Sequence, residues 1–327
     1  MPAFLLIQTA FTGDVVLATA VAEKLHEAYP HSRIDIVVRK GNESLLKDHP
    51  FFVKVWVWEK QKNKLRHLFR LAQQIRRTRY THVINLHRFA SSGLLTVLSG
   101  APDTRGFNKN PLSFLFRKKF PHVISLPGTQ HPVHETMRNQ SLIADLTGPA
   151  PALPRLYPSP ADYAKAGTFV WRPYYVIAPA SVWFTKQFPP EQWIKLVAAL
   201  PADRDVFLIG GPGDHALAET IKNGSVGRAQ NLCGQLSFLQ SAALMQGAVM
   251  NYTNDSAPLH FCSATGAPVT AVFCSTVPAF GFGPLGPQSK VAEVEGLYCK
   301  PCGMHGYKAC PEGHFRCALD LPINELL

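Results

Sequence analysis

The sequence is short of charge and has no long apolar run. Charged side chains make up only 17% of the 327 residues, against roughly 25% in an average soluble domain. Hydrophobic residues reach 46%, which supplies material for packed cores and argues against intrinsic disorder. No apolar run approaches the roughly 20 residues needed to cross a bilayer. The opening MPAFLLIQTA lacks the basic start and cleavage site of a signal peptide, so an intracellular soluble protein is expected. Also missing are a convincing internal repeat, any low-complexity tract beyond one proline cluster, and a recognisable DNA- or RNA-binding motif. A nucleic-acid-binding module is thereby disfavoured. The length is about twice that of a common domain, which points to two cores.

Acidic residues are scarce only in the first half. Residues 1–160 hold 22 Lys and Arg against 10 Asp and Glu, whereas residues 161–327 hold 11 against 12. A surplus confined to one half suits a polyanionic partner there: nucleic acid, an acidic membrane surface or a phosphorylated glycan. The alternative is a generally basic solvated surface.

Short apolar runs alternate with amphipathic segments from the start: FLLIQ, DVVLATAVAEKLHEAY, RIDIVV, VKVWVW, a basic helical stretch through Arg79, then THVINL. This βαβα order predicts a parallel sheet. Val16, Ala20 and Leu25 fall near one face of the first helix, with Glu23, Lys24 and Glu27 elsewhere. HPVHETMRNQSLIADLTG reads as a further helix, and PAPALPRLYPSPADYAKAG has prolines too dense for a core element, so it is read as the linker. The alternation then restarts with YYVIAP, DVFLIGG, AQNLCG, AVMNYTND and PVTAVF. The expected architecture is α/β, with two Rossmann-like doubly wound domains at 1–155 and 156–327. Ligands of such sheets bind at the C-terminal ends of the strands, so a cleft between the two domains is the expected site.

Four loops at those ends carry chemistry. Thr12, Gly13 and Asp14 follow the first strand, and Asp14 is either an ordinary helix-capping aspartate or a carboxylate able to take a proton from an attacking hydroxyl. Ser181, Thr185 and Lys186 follow the first strand of the second domain, where a lysine with nearby hydroxyls suits a diphosphate; a solvated lysine is the alternative. Gly210, Gly211 and Asp214 in LIGGPGD permit close approach of a ribose or phosphate, although the spacing is not that of a dinucleotide fingerprint and a simple turn would read the same. Asp255 is expected to cap a helix with Pro258 in its first turn, leaving the amides of Ser256 and Ala257 to face an anion. His260 falls in that turn, near a ligand or packed beneath the loop.

Taken together, GDVVLATAV, SVWFTKQFPPEQW, LIGGPGD, NLCGQLSFLQSAAL, NDSAPLHFCSATGAPVTAVF and CKPCGMHGYKACPEGHFRC resemble, in order, the bacterial lipopolysaccharide heptosyltransferase family of GT-B glycosyltransferases. The resemblance implies inverting, metal-independent transfer of a heptose from an ADP-activated donor to the lipopolysaccharide inner core. It places the base at Asp14, the diphosphate lysine at Lys186, the phosphate loop at Asp255, Ser256 and Ala257, the nearby histidine at His260, and the adenine near Gly234 to Leu236. Ala257 stands where relatives usually carry glycine, and the proline common near Ala20 is absent. Since the family includes members with other acceptors, a GT-B enzyme using another sugar, glycan or protein is the alternative. The basic first half fits an acidic acceptor through Arg88, Arg105, Lys109, Arg117, Lys118 and Lys119, together with peripheral contact at the inner membrane's cytoplasmic face.

Of seven cysteines, Cys233, Cys262 and Cys274 sit in apolar runs and read as core. Cys299, Cys302, Cys310 and Cys317 form C-x2-C-x7-C-x6-C within a segment at 299–317. In a reducing compartment four close thiols suit structural zinc or iron, with reduced thiols or disulfides as the alternatives. Catalysis itself is expected to need no cofactor.

Overall fold

The computed structural model describes residues 1–60 and 63–327. The first unit comprises Met1–Ile124 and Val133–Tyr157. Its elements are β1 (Ala3–Ile7), α1 (Thr12–Ala28), β2 (Arg33–Arg39), β3 (Phe52–Trp58), α2 (Lys64–Thr78), β4 (His82–Asn85), α3 (Ala90–Leu98), β5 (Asp103–Phe107), β6 (Lys118–Phe120), α4 (Glu135–Ser141) and α5 (Ala144–Thr147). The strands form one sheet in the order β3-β2-β1-β4-β5-β6, parallel at every pairing.

The central strands are apolar on both faces because helices cover both sides of the sheet: Phe4, Leu5, Leu6 and Ile7 of β1 are all buried. Helix α1 is enclosed nearly all round, Val15 to Ala22 and Leu25 being buried, since α4 and α5 pack against it. The single helix expected over 131–148 is broken in two. Leu142 and Ile143, both fully buried, occupy the break.

The second unit comprises Ser125–Pro132 and Pro158–Leu327. Its elements are α6 (Pro160–Gly167), β7 (Tyr174–Ala178), α7 (Pro190–Ala199), β8 (Asp205–Leu208), α8 (His215–Gly224), β9 (Ala229–Asn231), α9 (Phe238–Gln246), β10 (Met250–Asn254), α10 (Ala257–Thr265), β11 (Val269–Val272), β12 (Ser289–Ala292) and α11 (Arg316–Leu319). The sheet runs β12-β11-β10-β7-β8-β9, again parallel throughout. The proline-rich stretch is not all linker: α6 begins inside it. Ser159 caps that helix, its Oγ accepting from Asp162 N at 3.3 Å while Asp162 accepts from Ser159 N at 2.9 Å, and Pro160 takes the first helical position, where its missing N–H costs nothing. The core centres on Trp193 and Phe188, edge to face at 5.0 Å. Ala318, Leu321 and Leu326 of the C-terminal segment return to it. Cys233, Cys262 and Cys274 are buried.

Each sheet therefore has the order 3-2-1-4-5-6 when its own strands are counted in sequence. The reversal points lie between β1 and β4 and between β7 and β10, where the loops leaving the C-terminal strand ends diverge and open a crevice.

Candidate active site

At the reversal point of the first unit, the loops after β1 and β4 are tied by Thr9 Oγ1 and His87 Nδ1 at 3.0 Å. The helix cap is Phe11, not Asp14. Asp14 lies in the first turn and reaches back to accept from Phe11 N at 3.1 Å. Burial pushes its carboxyl above the usual range, opposed by the Phe11 and Asp14 amides and by Arg88 and Arg39. A carboxylate desolvated in this way is a stronger base than one in water. Gly13 is buried beside it. Thr12 is turned to another task, its hydroxyl donating to Asn42 Oδ1 at 3.0 Å.

Side chains that sequence reasoning missed surround this carboxylate. Arg39 ends β2, and Lys60 follows β3 with its Nζ donating to Thr9 O at 2.6 Å. Burial, then Arg39 and Lys64, lowers Lys60 to about 8, which marks an electropositive surround. Their position after the C-terminal ends of parallel strands was the available signal. Glu135 and Arg138 of α4 offered none, being some 120 residues away in sequence from Asp14. Arg138 Nε donates to Glu135 Oε2 at 2.7 Å. Burial holds the Glu135 carboxyl up at about 7, with Arg138 opposing and the negative Asp14 adding to the rise.

The six cations expected to face an acceptor separate into different roles. Arg88 is half-buried and acts on Asp14, while Lys109, Arg117 and Lys119 are exposed. Arg105 is excluded from that role. Its guanidinium is 1% exposed, pairs with Asp103 at 2.7 Å and with Asp145, and donates to Leu142 O at 3.2 Å, so it ties the break after α4 to β5. Lys118 shares Asp145 at 2.6 Å.

At the reversal point of the second unit, Lys186 Nζ lies 2.5 Å from Asp255 Oδ2, the two side chains being 14% and 9% exposed. Thr276 Oγ1 donates to the same carboxylate at 2.6 Å. Asp255 is thus the holder of Lys186, and Ser256 caps α10. The amides of Ser256 and Ala257 open that nine-residue helix, where no preceding turn supplies carbonyls to them. His260 is buried in the first turn, edge-on to Phe282 at 6.4 Å.

The loop that carries Lys186 is fixed at both ends and in the middle. Asn254 donates to Pro179 O at 2.7 Å and accepts from Phe188 N at 2.9 Å. Thr185, which was expected to face the nucleotide, is 1% exposed. Its Oγ1 accepts from Tyr307 N at 2.7 Å and from Ser275 Oγ at 3.0 Å, and its N donates to Tyr307 O at 3.1 Å. Ser181 is half-buried, its carbonyl accepting from Gln187 Nε2 at 2.7 Å. Such anchoring fixes an ammonium before any ligand arrives.

The glycine loops are adjacent. Gly234 N donates to Gly210 O at 2.9 Å, and Asp214 closes its own turn by accepting from Gly211 N at 2.7 Å. Leu236 is half-buried on the neighbouring loop.

The cysteine-rich segment packs on the Lys186 loop through Tyr307 and through Phe315, whose ring stacks on Phe184 at 5.2 Å. All seven cysteines are free thiols. Burial pushes Cys317 up to about 12, and burial with Cys299 and Cys310 raises Cys302. Among the described residues no group of three or more His, Cys, Asp or Glu side chains is disposed to hold a metal ion.

The pattern of glycosyltransferase family 9 (heptosyltransferase) matches residues 68–310. Lipopolysaccharide heptosyltransferase 3 of Escherichia coli is 25% identical over 281 residues, covering 81% of this chain and 82% of that protein. Among solved structures, E. coli ADP-heptose lps heptosyltransferase II aligns with a TM-score of 0.79 at 20% identity over 99% of this chain and 96% of its own. A family 9 glycosyl transferase from Veillonella parvula aligns with 0.78 at 20% identity, over 89% and 85%. These likenesses establish the two-sheet fold.

Proposed function

The chain belongs to glycosyltransferase family 9, and from that premise we propose that it transfers a heptose from ADP-heptose to the inner core of lipopolysaccharide, with Asp14 as base and Lys186 neutralising the leaving diphosphate. The observation that carries this reading is the held ammonium: Lys186 on Asp255, itself fixed by Thr276, in a loop clamped by Asn254 beside the first turn of α10.

In the step proposed, the acceptor hydroxyl gives its proton to Asp14. The freed oxygen attacks the anomeric carbon on the face opposite the nucleotide, and the bond from that carbon to the β-phosphate oxygen breaks with its electron pair, releasing ADP. One displacement inverts the centre. Lys186 and the amides of Ser256 and Ala257 meet the negative charge that grows on the departing phosphate, in the manner of an oxyanion site. In this reading Gly210, Gly211 and the Gly234–Leu236 loop receive the ribose and adenine, glycine permitting close backbone approach. Arg39, Lys60, Arg88 and Lys109 give the first unit the charge to attract an anionic core. No helix of the described residues is long and apolar enough to cross a membrane.

The test is transfer from ADP-heptose to a core oligosaccharide, followed by mass spectrometry. Asp14→Asn keeps the acceptor of the Phe11 amide but cannot take a proton, so kcat is expected to fall by roughly 10²–10⁴ with ADP affinity unchanged. A fully active Asp14→Asn enzyme would return Asp14 to a helix-terminal role.

A further inference from the structure

Strand β3 ends its sheet: among the described residues it is paired only with β2. Trp58 O accepts from Lys40 N at 3.0 Å, so the peptide groups of Trp58 and Trp56 turn toward β2. Alternation along the strand turns those of Val57 and Val55 outward, to the side where no strand lies. The same two residues line a cavity of about 390 Å³, whose opposite wall is the stretch of α2 from His67 to Gln74. The wall on β3 runs from Lys54 to Val57, about 10 Å at roughly 3.3 Å per residue. The wall on α2 is about as long at roughly 1.5 Å per residue. A trough of that length, bordered by an open strand edge, matches three or four residues of extended chain.

The ionisable side chains on the trough are all basic. Lys54, His67 and Arg70 line it, Gln74 adds an amide, and no Asp or Glu does; neither β3 nor α2 contains an acid. Lys54 Nζ stands 3.6 Å from the centroid of the Trp56 ring, and that ring is held by its Nε1 donating to Tyr80 OH at 2.8 Å. His67 Nδ1 accepts from Glu59 N at 3.3 Å, which leaves Nε2 as a donor. Lys54 and Trp56 stand on the face of β3 that meets α2, Trp56 and Leu71 sharing one core cluster. A strand laid along Val55 and Val57 would therefore point every second side chain toward Lys54, His67 and Arg70. The intervening side chains would lie on the opposite face, beside those of Val55 and Val57.

We propose that this edge binds an extended acidic segment of a partner protein by strand addition, with carboxylates at alternate positions meeting Lys54, His67 and Arg70 and β-branched residues between them. Main-chain bonds to Val55 and Val57 supply affinity, and the alternate side chains supply selectivity. A second copy of the chain is a poorer occupant, because an isologous pair of β3 edges would set Lys54 and Arg70 of one copy close to their equivalents in the other. A small anion would use the cations and leave the outward peptide groups unmatched. None of these residues belongs to the proposed catalytic machinery, so the inference does not rest on the transferase reading.

The experiment titrates the full chain against three fluorescently labelled hexapeptides and follows their anisotropy. One alternates valine and glutamate, the second alternates valine and lysine, and the third is the valine and glutamate peptide with every peptide nitrogen methylated. The first is expected to bind. The lysine peptide should bind about tenfold more weakly or worse, since its charges are reversed. The methylated peptide should lose as much, because it keeps the carboxylates but has no N–H to give a ladder. Lys54→Glu with Arg70→Glu should weaken the glutamate peptide by about tenfold and reverse the preference between glutamate and lysine. Both side chains are exposed, so circular dichroism and ADP affinity should match the parent, and Arg70→Glu alone should give part of the loss. Hydrogen exchange supplies an independent readout: the amides of Val55 and Val57 should exchange rapidly in the free chain and become protected when the glutamate peptide is bound. No binding, equal affinity for the three peptides, binding that leaves those two amides unprotected, or binding untouched by the charge reversal would overturn the site. Protection of the same amides at rising protein concentration without peptide would assign the edge to a second copy instead.

Discussion

Gly306 allows a direct test of whether the cysteine-rich segment sets the position of Lys186. A Cβ at this residue would stand 3.0 Å from Lys186 Cγ, 3.0 Å from Thr185 Oγ1 and 3.2 Å from Trp183 Cβ, at φ +77. Gly296 offers the matching control, with φ +71 and nothing within 4 Å of its Cβ. Placing alanine in the left-handed region costs about 1–2 kcal/mol in either case. Gly306→Ala adds overpacking of about 1–3 kcal/mol, because Thr185 Oγ1 is pinned by Tyr307 N and Ser275 Oγ and cannot retreat. At about 2–4 °C per kcal/mol for a domain of this size, Gly296→Ala should melt roughly 2–8 °C below the parent and Gly306→Ala roughly 4–20 °C below it. The decisive measurement is ADP titration calorimetry at a temperature where both variants are folded. The strain is relieved most cheaply by moving the Lys186 stem, and losing one charge-assisted contact of at least 1.4 kcal/mol weakens binding by about tenfold or more. Gly296→Ala should bind ADP normally. Normal ADP affinity in Gly306→Ala, or equal losses in both, would refute the coupling.

Other outcomes follow from the same geometry. Lys186→Ala should weaken ADP binding and also slow transfer, because one charge serves both bound and departing diphosphate; calorimetry and kcat together check this, and unchanged ADP affinity would return the lysine to a structural pairing with Asp255. Burial, then Arg88 and Arg138, holds His122 down at about 4. The folded state therefore stays unprotonated where the unfolded chain, with its ordinary value of 6.5, takes a proton. This contribution is fully present above about pH 6.5 and is lost as pH falls through about 4, amounting to about 3 kcal/mol at 1.36 kcal/mol per pKa unit. His122→Phe, which keeps a ring against Phe107, should flatten that part of the urea-unfolding profile; parallel profiles for parent and variant would contradict the assignment.

The alternation of apolar runs with amphipathic segments made both parallel sheets legible, because strands buried on both faces leave continuous Val, Ile and Leu runs. The loops at the reversal points were legible for the same reason: Lys186 and Asp255 lie in them, and Asp14 lies in the helical turn that one of them opens into. Side-chain commitments were less so. Arg105 looked like a free cation, yet Asp103 lies two residues earlier on the same face of β5, a proximity that strand geometry could have flagged; Asp145, its other partner, is remote in sequence. Thr185 is drawn inward by Tyr307 and Ser275, contacts that local composition does not encode. Glu135 reaches the neighbourhood of Asp14 only because α4 returns to cover α1. The break at Leu142 and Ile143 was hidden because both halves carry helical patterning.

The chain passes between its two units after Ile124, after Pro132 and after Tyr157, and this has a consequence for synthesis on the ribosome. Strands β1 to β6 have all emerged by Phe120, but the helices that close over α1 follow only with residues 133–157. Until then the nascent sheet carries an α1 whose outer apolar side chains, enclosed in the finished protein, face water. The stretch 125–132 emerges first and must wait for a second unit that does not yet exist. No single cut in the gene separates the two units intact: ending translation at Tyr157 strands eight residues of the second unit on the first, and starting after it deprives the second of them. Translation pauses or chaperone contacts that guard this protein should therefore act while residues 120–157 are leaving the exit tunnel.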